Sequence, residues 1–252
     1  MLRTYGELAV DAGRRAARSW LAMVAIPAYG FLILLAAKLV MPLGMAGGFI
    51  IALVSDACIA SYLSGLSTAV RGEKLRLDSL KVTMNAFFDV ISVMFALWVI
   101  NLGVAFLARS SGSNGPAVVG VLGLAIAIFF NVTPELIYSS SNRSFALLKQ
   151  SALFIMESPF AWFAPNLVFA VAFLAATGSL SASSPGELVL NIASLAQPSA
   201  LLRLVDGGGA IWKVPLLVAF FHYVMVYRGL LYQKLTSGGS SRMDEFRRRA
   251  SA

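Results

Sequence analysis

The chain carries very little with which to do chemistry. Its 252 residues include one cysteine and one histidine, so no internal disulfide can form. The motifs contain no zinc-ligand cluster, P-loop or nucleophile elbow. Neither a catalytic residue, a metal nor a cofactor is therefore expected, and the chain reads as a non-enzyme. Charge is scarce too: 13% of residues are Asp, Glu, Lys or Arg, against about 25% in soluble domains. Cys58 lies inside an apolar run and reads as a small buried hydrophobe. A cleavable signal is also missing, because the first apolar run starts only at Trp20 and has no small-residue cleavage site after it.

What is present in quantity is apolar surface. Hydrophobic residues make up 58% of the chain and the mean hydropathy is +0.79, values that place it among integral membrane proteins. The spacing predicts an all-α protein with six membrane spans, near 20–40, 47–69, 87–107, 117–138, 159–177 and 210–232, forming one domain over residues 1–235. Residues 236–252 read as a flexible basic tail. Pro27 lies inside the first span, and Met41-Pro42-Leu43-Gly44 turns the chain toward the second. In span two, Ala57, Ser61 and Gly65, and likewise Ala60, Ser64 and Thr68, recur every four residues. These ridges of small residues let neighbouring helices approach closely.

The net charge of +8 does not point to nucleic acid, because the cations flank apolar spans. With the N-terminus inside, 16 of the 20 Lys and Arg fall on the cytoplasmic side, and Lys38, Arg109, Arg203 and Lys213 fall outside. That asymmetry predicts a multi-pass protein of the bacterial inner membrane with both termini cytoplasmic. Arg14, Arg15, Arg18, Arg71, Lys74, Arg76 and Lys81 form a basic collar suited to anionic lipid headgroups.

Amphipathic segments precede the hairpins. Residues 1–18 alternate Leu2, Tyr5, Leu8, Ala9, Ala12 and Ala16 with charges, with Thr4 and Glu7 spaced as a capping box. In the stretch from Arg71 to Asp89, the apolar residues Leu77, Leu80, Met84, Phe87 and Phe88 fall at helical spacing, which predicts an interfacial helix beginning near Asp78. A third such helix is expected over SNRSFALLKQSALFIMES, capped by Asn142 or Ser144, with Phe145, Leu148, Ala152, Ile155 and Met156 on its apolar face. The order amphipathic helix, span, outer turn, span thus occurs three times, and every copy starts on the same side, so the fold reads as three hairpins of one orientation. Between residues 178 and 209, Glu187 to Leu204 reads as one more interfacial helix.

Polar residues inside apolar spans are the functional candidates, since each costs several kcal/mol unless paired or wet. Asp56 lies near the middle of span two and His222 near the middle of span six. Either they meet, or Asp56 bonds to hydroxyls such as Ser55, Ser61 or Thr68 and His222 to a backbone carbonyl. Glu135 follows Pro134 in FNVTPELIY, where a kink should leave Asn131 and Thr133 to satisfy freed backbone groups. That pocket is either an ion or substrate site, or simply the place where Glu135 snorkels toward Arg143. Asp89 and Arg228 are read as facing water or headgroups, and Asn101 as a bond between helices.

Tyr62-Leu63-Ser64-Gly65-Leu66 followed by Arg71-Gly72-Glu73, Leu75 and Leu77, and later Ala146-Leu147-Leu148-Lys149-Gln150-Ser151, give the chain a resemblance to a loose group of bacterial membrane families. The group includes YciC-like inner-membrane proteins and the membrane domain joined to some glycerophosphodiester phosphodiesterases. The resemblance implies a six-helix envelope protein without a known catalytic residue; the soluble phosphodiesterase domain of those fusions has no counterpart here, so its activity does not carry over. The expected function is an assembly partner or lipid-handling subunit whose partners are membrane lipids, another protein or a second copy. The alternative is a small-solute or proton-coupled transporter or channel using Asp56, Glu135, His222 and Asn131.

Overall fold

In span after span the apolar residues run all the way round the helix, so hydropathy sets the length of each helix but not which side meets its neighbours. A computed structural model describes residues 2–140, 142–177 and 213–250. All regular elements among these are helices: α1 (Leu2–Arg18), α2 (Trp20–Val40), α3 (Met45–Arg71), α4 (Met84–Ser110), α5 (Gly115–Phe129), α6 (Thr133–Ser139), α7 (Ser144–Glu157), α8 (Pro159–Thr177) and α9 (Lys213–Ala250), with short 3-10 turns between some of them. Five stretches are long and apolar enough to cross a membrane, or six if the bent pair α7–α8 counts as one. The chain is thus a helical membrane protein. The expected interfacial helix over Glu187–Leu204 lies outside the described residues.

The central element is α3, which meets α1, α2, α4, α6 and α9. Its small residues explain that position. Ala60, Ser61 and Gly65 are buried, and a Cβ on Gly65 would come within 2.7 Å of the Leu80 side chain. The helix stops at Gly72, whose φ of 80° lets its N–H reach back to the carbonyls of Ala69 and Thr68.

Beyond Gly72 the interfacial helix expected from Asp78 does not form. Leu77–Leu80 is a single 3-10 turn, Lys81 is extended, and α4 starts at Met84 with the Thr83 side chain accepting from the Ala86 N–H. The segment folds back onto α3 instead. Leu75 is buried, Leu80 packs on Gly65, and the Leu80 carbonyl accepts from the Ser61 hydroxyl, which in turn lies 2.5 Å from the phenolic oxygen Oη of Tyr29. These tertiary contacts outweigh the helical spacing: Leu75 is buried and Leu80 half-buried against α3, and the Leu80 carbonyl, which the extended chain at Lys81 would leave without a helical donor, is satisfied by Ser61.

The other two amphipathic segments are helical, with differences. Thr4 lies inside α1, which already begins at Leu2, so the expected capping box is not a cap. Ala12 and Ala16 are buried and α1 packs along α9, with Gly13 against the Tyr223 ring. In α7 the buried side consists of Leu147, Leu148, Ser151 and Ile155, whereas Phe145 and Met156 are exposed. The face is turned from the expected one because α7 packs against α4, α5 and α6. Neither Asn142 nor Ser144 caps it; the Asn142 amide donates instead to Gln150 Oε1 at 2.8 Å. The helix bends by 92° into α8. At the other end of the chain, α9 stays helical through to Ala250.

Candidate functional site

The break expected at Pro134 is real and splits span four into α5 and α6. Lacking an N–H, Pro134 cannot bond back to Phe130, and the Thr133 N–H takes the Phe130 carbonyl instead, at 3.1 Å. That shift leaves carbonyls without helical partners, and side chains from two other helices supply them. Ser151 Oγ donates to the Phe129 carbonyl at 2.8 Å, and Arg228 Nη2 donates to the Asn131 carbonyl at 2.5 Å. A buried carbonyl without a donor costs about 1–3 kcal/mol, so these two bonds fix α7 and α9 against the break.

Arg228 is the residue that the sequence reading misplaced. It does not face water: it is 2% exposed and grips Glu135, itself 0% exposed. Nε bonds to Oε1 at 2.7 Å and Nη2 to Oε2 at 3.1 Å. The guanidinium also lies 5.1 Å from the centre of the Trp162 ring, whose Nε1–H donates to Asn131 Oδ1 at 3.0 Å. Glu135 does not snorkel toward Arg143, which pairs with Asp89 at 2.7 Å. The rule that an intramembrane charge seeks an opposite charge was the signal that could have joined Glu135 to Arg228.

His222 and Asp56 are not partners. His222 Nε2 lies 2.8 Å from Ser19 Oγ, and Nδ1 lies 3.2 Å from the Tyr62 hydroxyl. Ser19 has one proton and directs it at the Arg15 carbonyl, 2.8 Å away. Nε2–H is therefore the donor to Ser19, and Nδ1 accepts from Tyr62. Both ring nitrogens are used, and neither bonds to a backbone carbonyl. Asp56 is buried yet has no hydrogen-bond or ion-pair partner among the described residues. Ser61 and Thr68, two hydroxyls expected to serve it, bond elsewhere. Asn101, expected to bridge helices, is exposed and donates within its own helix to the Leu97 carbonyl at 2.9 Å. Among the described residues no group of three or more His, Cys, Asp or Glu is placed to hold a metal.

The basic collar gathers at one end of the bundle. Arg15 donates to the Val70 carbonyl and pairs with Asp11 at 2.8 Å, so it ties α1 to the end of α3. Arg14, Arg18, Arg71, Lys74, Arg76 and Lys81 are exposed. At this end a cleft of about 470 Å³ opens between the last turns of α3, the 3-10 turn, the start of α4 and the end of α6. No family model, curated protein or solved structure matches this chain. Its site must therefore be read from geometry alone. The cleft contrasts with the clusters around Glu135 and His222, where the carboxylate and both ring nitrogens are paired inside the fold. Its walls present the hydroxyls of Ser64, Ser67 and Thr68 beside charged side chains of both signs. Its volume lies within the range of about 300–1,000 Å³ found for small-molecule sites.

Proposed function

We propose that this chain is a non-enzymatic, lipid-handling protein of the bacterial inner membrane, with six spans in three hairpins and both termini cytoplasmic. The polar cleft carries the reading. It lies at the end of the bundle where the cations gather, and exposed Val82, Met84 and Phe88 sit on the segment that forms one of its walls. An opening with a polar interior and an apolar flank suits an amphiphile whose headgroup enters while its chains stay in the bilayer. The YciC-like resemblance agrees with an envelope protein of this kind.

Transport through the bundle has less support. Glu135 and His222 each spend their polar atoms on neighbours, so of the intramembrane ionisable residues first considered, Asp56 is the one without a partner among the described residues. The experiment is to purify the protein in mild detergent and quantify the lipid that stays bound. A defined lipid retained by the wild type and lost from Ser67→Leu, which fills the cleft, is the expected outcome. Retention of no lipid at all, together with solute flux abolished by Asp56→Asn in vesicles, would replace this reading with the transport one.

A further inference from the structure

The cleft's walls carry an ordered chemistry. Ser64, Ser67, Thr68 and Arg71 follow one another at positions i, i+3, i+4 and i+7 of α3, and all four line the cleft, so they form a single stripe of hydroxyls ending in a guanidinium. Ser64 and Thr68 spend their protons on carbonyls of their own helix, Ala60 and Ser64 respectively, which leaves their oxygens as acceptors. Among the described residues Arg71 and Ser67 have no hydrogen-bond or ion-pair partner. The cleft is also lined, from the 3-10 turn and α4, by Asp78, Lys81 and Asp89. Asp78 and Lys81 form an exposed pair at 2.7 Å, and Asp89 Oδ1 is paired with Arg143 at 2.7 Å.

Resting on the lipid-handling reading, we propose that this cleft seats a zwitterionic phosphoethanolamine headgroup. Its phosphate lies against Arg71 and Ser67, and its primary ammonium against Asp89 and Asp78. The opposed charges decide the class. A headgroup with anionic charge alone would gain Arg71 but bring no cationic donor for the carboxylates of Asp78 and Asp89, each of which has a single cation beside it among the described residues, whereas a zwitterion answers both signs. A choline headgroup has the right charges but no N–H, so it cannot donate to a carboxylate or to the Ser64 and Thr68 oxygens. The primary ammonium has three donors and meets a wall rich in acceptors. Val82, Met84 and Phe88, exposed on the α4 side, are placed to lie along the acyl chains.

The test uses the full chain in nanodiscs of mixed composition, with bound lipid quantified by native mass spectrometry. The competing lipids are phosphatidylethanolamine, phosphatidylglycerol and phosphatidylcholine, and soluble phosphoethanolamine forms a separate arm. Phosphatidylethanolamine is expected to be enriched about tenfold over either other lipid, about one charge-assisted hydrogen bond's worth of selectivity. Arg71→Gln, a change to an exposed and unpaired side chain, should remove most of that enrichment. Asp78→Asn should shift the preference toward phosphatidylglycerol.

Displacement by soluble phosphoethanolamine at millimolar concentration would show that the headgroup alone suffices; failure to displace, with enrichment intact, would show that the chains contribute, and both outcomes keep the assignment. Specific retention of lipid without preference for the ethanolamine class would overturn this assignment and leave lipid handling standing. Loss of all specific retention would overturn both. Circular dichroism and thermal unfolding of Arg71→Gln, expected to match the wild type, separate lost binding from lost folding.

Discussion

Arg228 and Glu135, 93 residues apart in sequence, form a two-pronged ion pair with both side chains almost wholly out of contact with solvent. The same guanidinium satisfies a carbonyl freed by the break before Pro134, so one side chain closes two gaps. Arg228→Met should strand the Glu135 carboxylate and lower stability by about 3–5 kcal/mol, whereas Glu135→Leu combined with Arg228→Met should recover much of that loss. Thermal unfolding in detergent compares them. A single change without effect would remove the pair from any account of how α9 is held.

Gly229 lies where α9 crosses α3. A Cβ there would fall 2.5 Å from Val70 Cγ2 and 2.6 Å from the Tyr138 hydroxyl. Gly229→Ala is expected to cost about 1–3 kcal/mol through overpacking. The Tyr138 hydroxyl is itself buried without a partner among the described residues, so Tyr138→Phe should be neutral or stabilising by up to about 1 kcal/mol. It should also soften the Gly229→Ala defect in the double variant, and unfolding midpoints of the three proteins decide it.

Ser151→Ala removes the donor to the Phe129 carbonyl and leaves that acceptor facing α7. The expected loss is about 1–2 kcal/mol. Hydrogen exchange should rise in α7 and around the break before it rises in α3. Uniform loosening of all helices would show that the bond has no local role.

Asp56→Asn replaces a buried carboxylate that has no partner among the described residues. Since a carboxylate inside a span is costly, the change should raise the unfolding midpoint or leave it unaltered, with lipid retention unchanged. A marked loss of stability would show that the ionised carboxylate makes a stabilising interaction.

Some of this was legible in the sequence. The first span was expected at 20–40 and α2 is Trp20–Val40; the kink before Glu135 followed from proline chemistry and occurs. Gly65, Ala60 and Ser61 were read as surfaces for close packing, and they are buried. The stretch from Arg71 to Asp89 was misread because helical spacing of Leu77, Leu80 and Met84 is also compatible with a loop that folds its leucines back onto a glycine. Ser19 and Tyr62, which hold His222, and Trp162, which meets Arg228, carried no local signal.

What the sequence by itself determined is that the chain is built from apolar helices, five or six of them able to cross a membrane, and that its cations cluster between them. Both are local properties, set by how many consecutive residues suit a hydrocarbon layer. Only the tertiary structure decided which way each helix is turned, and hence that Arg228 meets Glu135 and that His222 meets Ser19 and Tyr62. The physical reason is that helices apolar on every side have no periodicity to mark a buried face. Lipid tails and neighbouring helices are equally apolar, so the rotation is set by small residues, freed carbonyls and buried charges finding partners.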